Sequence, residues 1–383
     1  MSGSIKINDY DKFRCMADKC SFTCCQEWKI GVDEKTYLKW KGKKLEGQSS
    51  SLCHQVTMKD GDGIIKLNRE KKCPFLNENK LCNVVIAFGE DHLSQTCTTF
   101  PRQINTFAHH KEYSLDACCP VVVDMMRENA DCISFNKENI DLSHEPLFEV
   151  REMMMAIMEK ESYSIPERLM IIFYNLLELL DKKSLTLKVI DACKEDSYLV
   201  PIAKAIRNMN FYTMDTIYEG NELFLDVVEN YRKQKLYVQY LEDIATFAED
   251  LEENYTEEQI VESFNKFIPL FNEYEKLMKH YMISEIFGSS LLEDMDLEEM
   301  IIASEWLSIK YAVVRQAIFL KWMMQESSEK ETLDYTIVKD YIMIMSRVMG
   351  YDQCDINEYM ENSFEEVIWE WGYAALIIGH NKM

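Results

Sequence analysis

From Ser164 onward, apolar residues recur at helical spacing. Leu169, Ile172, Phe173, Leu176, Leu177 and Leu180 fall at i, i+3, i+4, i+7, i+8 and i+11, which lines one face of a helix. Ser164-Ile165-Pro166-Glu167, just ahead of them, carries the start signals. A hydroxyl caps, a proline suits the first turn, and a carboxylate meets the positive end of the helix dipole. Similar periods run through residues 224–251, 260–286, 300–323 and 337–349. Breaks are offered only by Gly220 with Asn221, by Gly288 with Ser290, and by Gly350. After Pro201 the sole proline is Pro269. This pattern predicts an all-α bundle over residues 141–383.

Residues 1–140 read differently. Gly42, Gly47, Gly61, Gly63, Pro74, Gly89, Pro101 and Pro120 interrupt every periodic stretch. Short helices joined by loops fit that punctuation better than a regular sheet. Asp60-Gly61-Asp62-Gly63 ahead of Ile64-Ile65 predicts one small hairpin. The fold class expected is mainly α, with an N-terminal domain (1–140) packed on an all-α domain (141–383).

Composition sharpens the division. The chain has 383 residues, long enough for two domains, and is 47% hydrophobic, which excludes wholesale disorder. No apolar run approaches the roughly 20 residues of a membrane helix. Met1-Ser2-Gly3-Ser4-Ile5-Lys6 lacks an apolar signal region, so a cytoplasmic, reducing compartment is expected, where disulfides are rare. The net charge is −24, unevenly spread. Residues 1–140 carry 20 Lys+Arg and 19 Asp+Glu, leaving 22 and 47 for the remainder. An acidic surface repels phosphate backbones, which argues against nucleic acid and suits a cationic partner such as lysine side chains. It also serves simply to keep a helical protein soluble. Met153-Met154-Met155 and Met343, Met345 and Met349 sit at helical spacing and read as core filler.

Eleven of the 13 cysteines lie within the first 132 residues. Cys15, Cys20, Cys24 and Cys25 precede Trp28; Cys73-Pro74-Phe75-Leu76, Leu81-Cys82, Cys97 with Phe100-Pro101-Arg102, and Cys118-Cys119-Pro120 follow. Core packing needs apolar volume, not thiols, so this concentration points to metal. Thiolates are soft ligands that suit zinc or an iron–sulfur cluster. The Cys-x2-Cys knuckles of zinc modules and the Cys-x3-Cys-x2-Cys order of radical enzymes are both absent, so the metal stays open. Adjacent Cys24 and Cys25 cannot easily serve one ion, and one of them is expected to face a second site or to be spare. Cys53, Cys132, Cys193 and Cys354 lack partner motifs and read as structural thiols. His54, His92, His109 and His110 could each replace a thiolate, with His109-His110 expected on an exposed loop. Arg102 could pair with a cofactor carboxylate or the charge of a thiolate cluster, or simply end a turn. Trp28 could shield a cluster, stack on an adenine or pack a core. No Gly-x-Gly-x-x-Gly loop appears, so a Rossmann-type cofactor site is not expected.

These cysteine motifs resemble the flagellin lysine-N-methylase family, and the cysteine part alone is similar to zinc- or iron-chelating domains. Glu149-Val150-Arg151-Glu152, Ile165-Pro166-Glu167-Arg168-Leu169, Tyr311-Ala312-Val313-Val314-Arg315 and Ser346-Arg347 match that family's helical landmarks. Glu27 departs from it, standing where glycine is expected. The resemblance implies protein-lysine N-methyltransferase activity, moving methyl groups from S-adenosylmethionine to flagellin lysines, with a 4Fe-4S cluster held by cysteines. The ligand pool is Cys15, Cys20, Cys24, Cys25, Cys73, Cys82, Cys97 and Cys119, with Arg102 and Trp28 toward the cofactor and zinc as the alternative metal. Eight thiols exceed what one site needs, which leaves two sites, or one cluster beside a structural metal or unliganded thiols. The rival readings are a metal-folded interaction module without catalysis and a redox sensor.

Overall fold

The computed structural model describes residues 3–59, 62–131, 133–142, 145–182, 185–209, 211–325, 331–350, 353–364 and 369–379. Its strands are β1 (Gly3–Ile7), β2 (Gly31–Val32), β3 (Val56–Lys59), β4 (Asp62–Ile65), β5 (Arg102–Thr106), β6 (His110–Leu115) and β7 (Phe135–Glu138). The N-terminal helices are α1 (Glu34–Trp40), α2 (Asn83–Phe88), α3 (Gln95–Thr99) and α4 (Pro120–Glu128). The helical part runs α5 (Pro146–Met158), α6 (Ile165–Asp181), α7 (Leu187–Ala192), α8 (Asp196–Asn208), α9 (Thr213–Gln234), α10 (Val238–Glu249), α11 (Leu251–Asn254) and α12 (Glu257–Asn272). It closes with α13 (Glu275–Ser289), α14 (Leu297–Met323), α15 (Tyr335–Val348), α16 (Gln353–Phe364) and α17 (Trp371–Ile378). The mainly α expectation holds.

α14 is the axis of the helical part. It is almost wholly buried on every side, as a helix wrapped by others must be, and takes Glu305, Lys310 and Arg315 inside with it. α6, α9, α13, α15 and α17 pack around it. α6 starts as its sequence predicts. The Ser164 hydroxyl accepts from Glu167 N, and Glu167 Oε2 accepts from Ser164 N at 2.8 Å.

Four expectations need correction. The N-terminal part holds two sheets in addition to the expected short helices and hairpin. The larger has the order β5-β6-β1-β7, with β1 parallel to β6 and antiparallel to β7. β5 and β6 form a local antiparallel hairpin, but β1 pairs with residues more than a hundred positions away, so no local pattern announces it. The hairpin itself is present as β3 and β4, with β2 on the far side of β4; residues 60 and 61 of its turn lie outside the described residues. The period over 224–251 is broken at a corner between α9 and α10, where Lys235 and Tyr237 take left-handed backbone (φ 54° and 55°). That over 260–286 breaks between α12 and α13. Gly220 is no break. A Cβ there would lie 3.3 Å from Gln316 Oε1, so the glycine permits α9 to approach α14.

Two cores form. The main one spans the helical part and takes in Ile5, Ile7, Phe13, Phe22, Leu115 and Cys119. A small second core gathers Ile30, Val32, Trp40, Leu52, Ile65, Phe75 and Val84. The larger sheet is therefore built into the helical body, while residues around 25–97 make a satellite beside it.

Candidate metal and cofactor site

The chain places each cysteine through local turns. Cys20 Sγ donates to Phe22 O at 3.1 Å. The Trp28 indole donates to Cys24 O at 2.5 Å and closes the double-cysteine loop. Cys73 N donates to Cys25 O at 2.7 Å, and the adjoining Gln26–Lys72 bridge extends this pairing. Cys73 and Cys119 each precede a proline, which favours extended backbone; Cys119 (φ −113°, ψ 126°) shows it and leads into α4. Cys82 stands at the start of α2. Cys97 N donates to Ser94 Oγ, the cap of α3, at 3.2 Å.

The tertiary fold sorts the thiols into two neighbourhoods. Cys25, Cys73, Cys82 and Cys97 pack on the small core. Cys15, Cys20 and Cys119 lie on the other side, toward Phe22 and the helical body, with the Cys24 thiol between the groups. Cys24 and Cys25 thus sit at the boundary of the two groups. All described cysteines are free thiols. Burial pushes Cys73 and Cys119 up to about 12 and Cys97 to about 11, with nearby thiols adding to each. The Cys25 thiol and burial push Cys24 up as well. A metal would displace these protons and bind more tightly as pH rises. Among the described residues, no three His, Cys, Asp or Glu side chains converge closely enough to hold one ion. The thiols of both groups are soft donors free of disulfides, the chemistry a thiolate-held metal calls for.

One arginine joins the cysteine segments to the helices. Arg347, at the end of α15, donates through Nε to Cys118 O (2.7 Å) and through Nη1 to Thr23 O (3.4 Å). Its guanidinium lies 4.4 Å from the Phe22 ring centroid. The α9–α10 corner is clamped to the same place. Glu27 Oε2 accepts from Tyr237 N at 2.8 Å, and Lys71 Nζ donates to Gln234 O at 2.9 Å. Glu27 has φ 69°, so the residue standing in place of glycine keeps the left-handed backbone glycine would favour. What it adds is a buried carboxylate that holds the corner; burial raises that carboxyl above its ordinary range.

Residues 151–377 match the model of the FliB lysine N-methylase C-terminal domain, a stretch longer than half the chain. The chain belongs to the FliB lysine N-methylase family. Relatives include the Lysine-N-methylase of Salmonella typhimurium (29% identical over 154 residues, 38% of each chain) and that of Salmonella choleraesuis (29% over 153 residues, 38% of each). The Flagellar biosynthetic protein FliU of Salmonella muenchen is 30% identical over 131 residues, 33% of this chain and 78% of that one. The match spans 38% of the length of the two methylases. No solved structure matches. The FliB segment contains Tyr237 and Arg347 but none of the eight expected ligand thiols.

The FliB landmarks turn out to be buried arginine anchors. Arg151 grips Glu112 of β6 with both terminal nitrogens (2.5 and 2.6 Å). Arg168 binds Glu275 and the Met158 and Lys160 carbonyls, and Arg315 holds the Ile377 and Ile378 carbonyls at the end of α17. Arg347 and Tyr237 were not singled out as site residues from sequence. The Ser346-Arg347 landmark was the one signal available.

Arg102 opens β5 with its guanidinium over the Tyr10 and Phe13 rings (5.6 and 5.1 Å), near the Cys15 segment. The Trp28 ring also lies tilted against Phe100, with centroids 5.3 Å apart. His109 is exposed, but His110 is buried against Glu112, Phe107 and Phe148, because strand alternation turns it inward. Cys193 is buried and Cys354 is exposed, so only the former reads as a core thiol. Cys132 lies outside the described residues. A cleft of about 570 Å³ between α6, α12 and α13 is lined by Tyr163, Phe271, Met278 and Tyr311, and by no cysteine. Among the described residues, no helix is long and apolar enough to cross a membrane.

Proposed function

We propose that this chain is a protein-lysine N-methyltransferase that uses S-adenosylmethionine, acts on flagellin lysines, and depends on a metal held by its cysteines. The observation that carries this reading is Arg347. A residue of the FliB-matching segment reaches into the cysteine loops and binds Cys118 O and Thr23 O, which supports a link between the family domain and the thiol-bearing loops. The names of the relatives, methylases and a flagellar protein, supply the reaction and substrate class.

Cys25, Cys73, Cys82 and Cys97 would hold one centre, and Cys15, Cys20 and Cys119, with Cys24 shared between the groups, would serve a second or complete the first. An iron–sulfur cluster there would supply an electron-deficient iron for binding the methyl donor. Zinc would make the same thiols scaffolding. Arg102 and Trp28 are assigned to the cofactor side, as charge partner and apolar wall. The acceptor lysine, with an ammonium pKa of ~10.4 in peptides, must shed its proton before its lone pair attacks. The new N–C bond then forms as the methyl–sulfur bond breaks, its electron pair remaining on sulfur. The acidic surface of residues 141–383 draws the cationic side chain.

The test starts from anaerobic purification with iron, zinc and acid-labile sulfide measured per chain, followed by mass spectrometry of flagellin incubated with S-adenosylmethionine. Methylated lysines in the presence of bound metal are expected. Cys73→Ser and Cys119→Ser should lose metal and Cys193→Ser should keep it, because hydroxyl is a poor soft-metal ligand. No methyl transfer by the metal-loaded chain would overturn the enzymatic reading. Equal metal in all three variants would overturn the ligand assignment.

A further inference from the structure

A cavity of about 250 Å³ opens where β5 meets α13, α14 and α16, at the seam between the larger sheet and the helical body. The seam closes through Gly288, near the end of α13, where a Cβ would lie 2.8 Å from Gln103 Oε1. Without that Cβ, the Gln103 and Asn105 amides both donate to Gly288 O at 2.7 Å. Strand alternation puts these two side chains across β5 from Arg102. Two charges face the cavity. Lys310 of α14 donates to Glu285 Oε2 of α13 at 2.5 Å; their side chains are 10% and 12% exposed, and both line the space. This bond uses one of three ammonium hydrogens and one carboxylate oxygen, which leaves two N–H groups and Glu285 Oε1 for a ligand. A buried pair of this kind adds little net stability by itself. The last turn of α13 belongs to the same wall, and its carbonyl end attracts positive charge. Leu292, Ala303, Leu307 and Ile356 supply apolar wall.

We infer that this cavity binds an α-amino acid group, its carboxylate on Lys310 and its ammonium on Glu285 and the end of α13. A wall with one charge of each sign sets a like charge beside any lone anion or cation, whereas a zwitterion matches both. The volume lies below the roughly 300–1,000 Å³ of pockets for drug-sized ligands, which limits the enclosed group to amino-acid size. The apolar wall selects an apolar side chain. Free methionine and the methionyl end of S-adenosylmethionine present the same chemistry, and only the second source rests on the methyl donor proposed above.

The experiment is equilibrium dialysis on the full chain, purified anaerobically, with L-methionine, S-adenosylmethionine and two methionine analogues that lack one charge each. These are 3-(methylthio)propylamine and 3-(methylthio)propanoate, which probe the wild-type chain and need no variant. Glu285→Gln and Lys310→Met break a buried pair and can cost the fold. Ala303→Leu instead fills the cavity from α14 and keeps both charges, and urea denaturation checks its fold. Saturable L-methionine binding is expected, about tenfold or more weaker in Ala303→Leu and for either analogue. S-adenosylmethionine binding that weakens in Ala303→Leu and is competed by L-methionine assigns the site to the methyl donor. S-adenosylmethionine binding untouched by the variant assigns it to the free amino acid. Analogues that bind as well as L-methionine, affinities unchanged in folded Ala303→Leu, or a wild-type chain that binds neither L-methionine nor S-adenosylmethionine overturn the inference. Methionine binding without methyl transfer to flagellin refutes the proposed function and leaves this site standing, whereas methyl transfer with none of the expected ligand responses refutes this site alone.

Discussion

Glu305 offers a sharp test of the packing around α14. It is fully buried, both carboxylate oxygens lack hydrogen-bond partners, and burial alone raises its carboxyl to about 8. The nearby Tyr373 hydroxyl does not help, because it donates to Glu219 at 2.6 Å. The unfolded chain ionises this group near its ordinary value of 4.5, while the folded chain keeps the proton until about 8. Folding therefore holds an extra proton in that window, and stability falls as pH rises from about 4.5 through 8. Each unit corresponds to about 1.4 kcal/mol, so this side chain costs about 3 kcal/mol at pH 7 relative to pH below its unfolded value. Glu305→Gln has the same shape and does not titrate. Urea denaturation of both proteins at pH 5, 6, 7 and 8 should show the variant's relative stability climbing by about 4 kcal/mol across the series. Using the difference removes titrations the two proteins share. Parallel curves with a constant offset would refute the reasoning and mean that Glu305 reaches a partner or solvent.

Two further outcomes follow from buried contacts. Arg151→Met should destabilise the chain by about 3 kcal/mol in the same denaturation assay, because it leaves the buried Glu112 carboxylate only the His110 imidazole as partner; a loss below about 1 kcal/mol would show that His110 alone satisfies the carboxylate. Glu27→Ala and Glu27→Gly both lose the bond to Tyr237 N, but only alanine keeps a Cβ at φ 69°. Thermal or urea unfolding should place the alanine variant about 1 kcal/mol below the glycine variant, and equal stability would remove the strain argument.

The helical half was largely legible because its information is local. A capped start at Ser164 and a repeating apolar face follow from backbone geometry within a few residues, and the structure returns them. The helix corner at residues 235–237 was hidden, since no glycine or proline marks it; a buried carboxylate from residue 27 holds it in place. The larger sheet was hidden for a similar reason. β1 finds its partners β6 and β7 a hundred residues away, and short strands carry too little pattern to predict such pairing.

The site divides along the same line. Thiol chemistry is a property of residue type, so the cysteines announced a metal reading from sequence, and their spacing named the pool. Which thiols stand together was decided by folding: the small core gathers Cys25, Cys73, Cys82 and Cys97, and the main core takes Cys119. Arg347 belongs wholly to the tertiary level. It lies more than two hundred residues from the carbonyls it binds, and only the packing of α15 against the cysteine loops brings a guanidinium to them. Composition and local periodicity act over a few residues, whereas an ion or hydrogen-bond partner is chosen by proximity in space, which the folded chain alone sets.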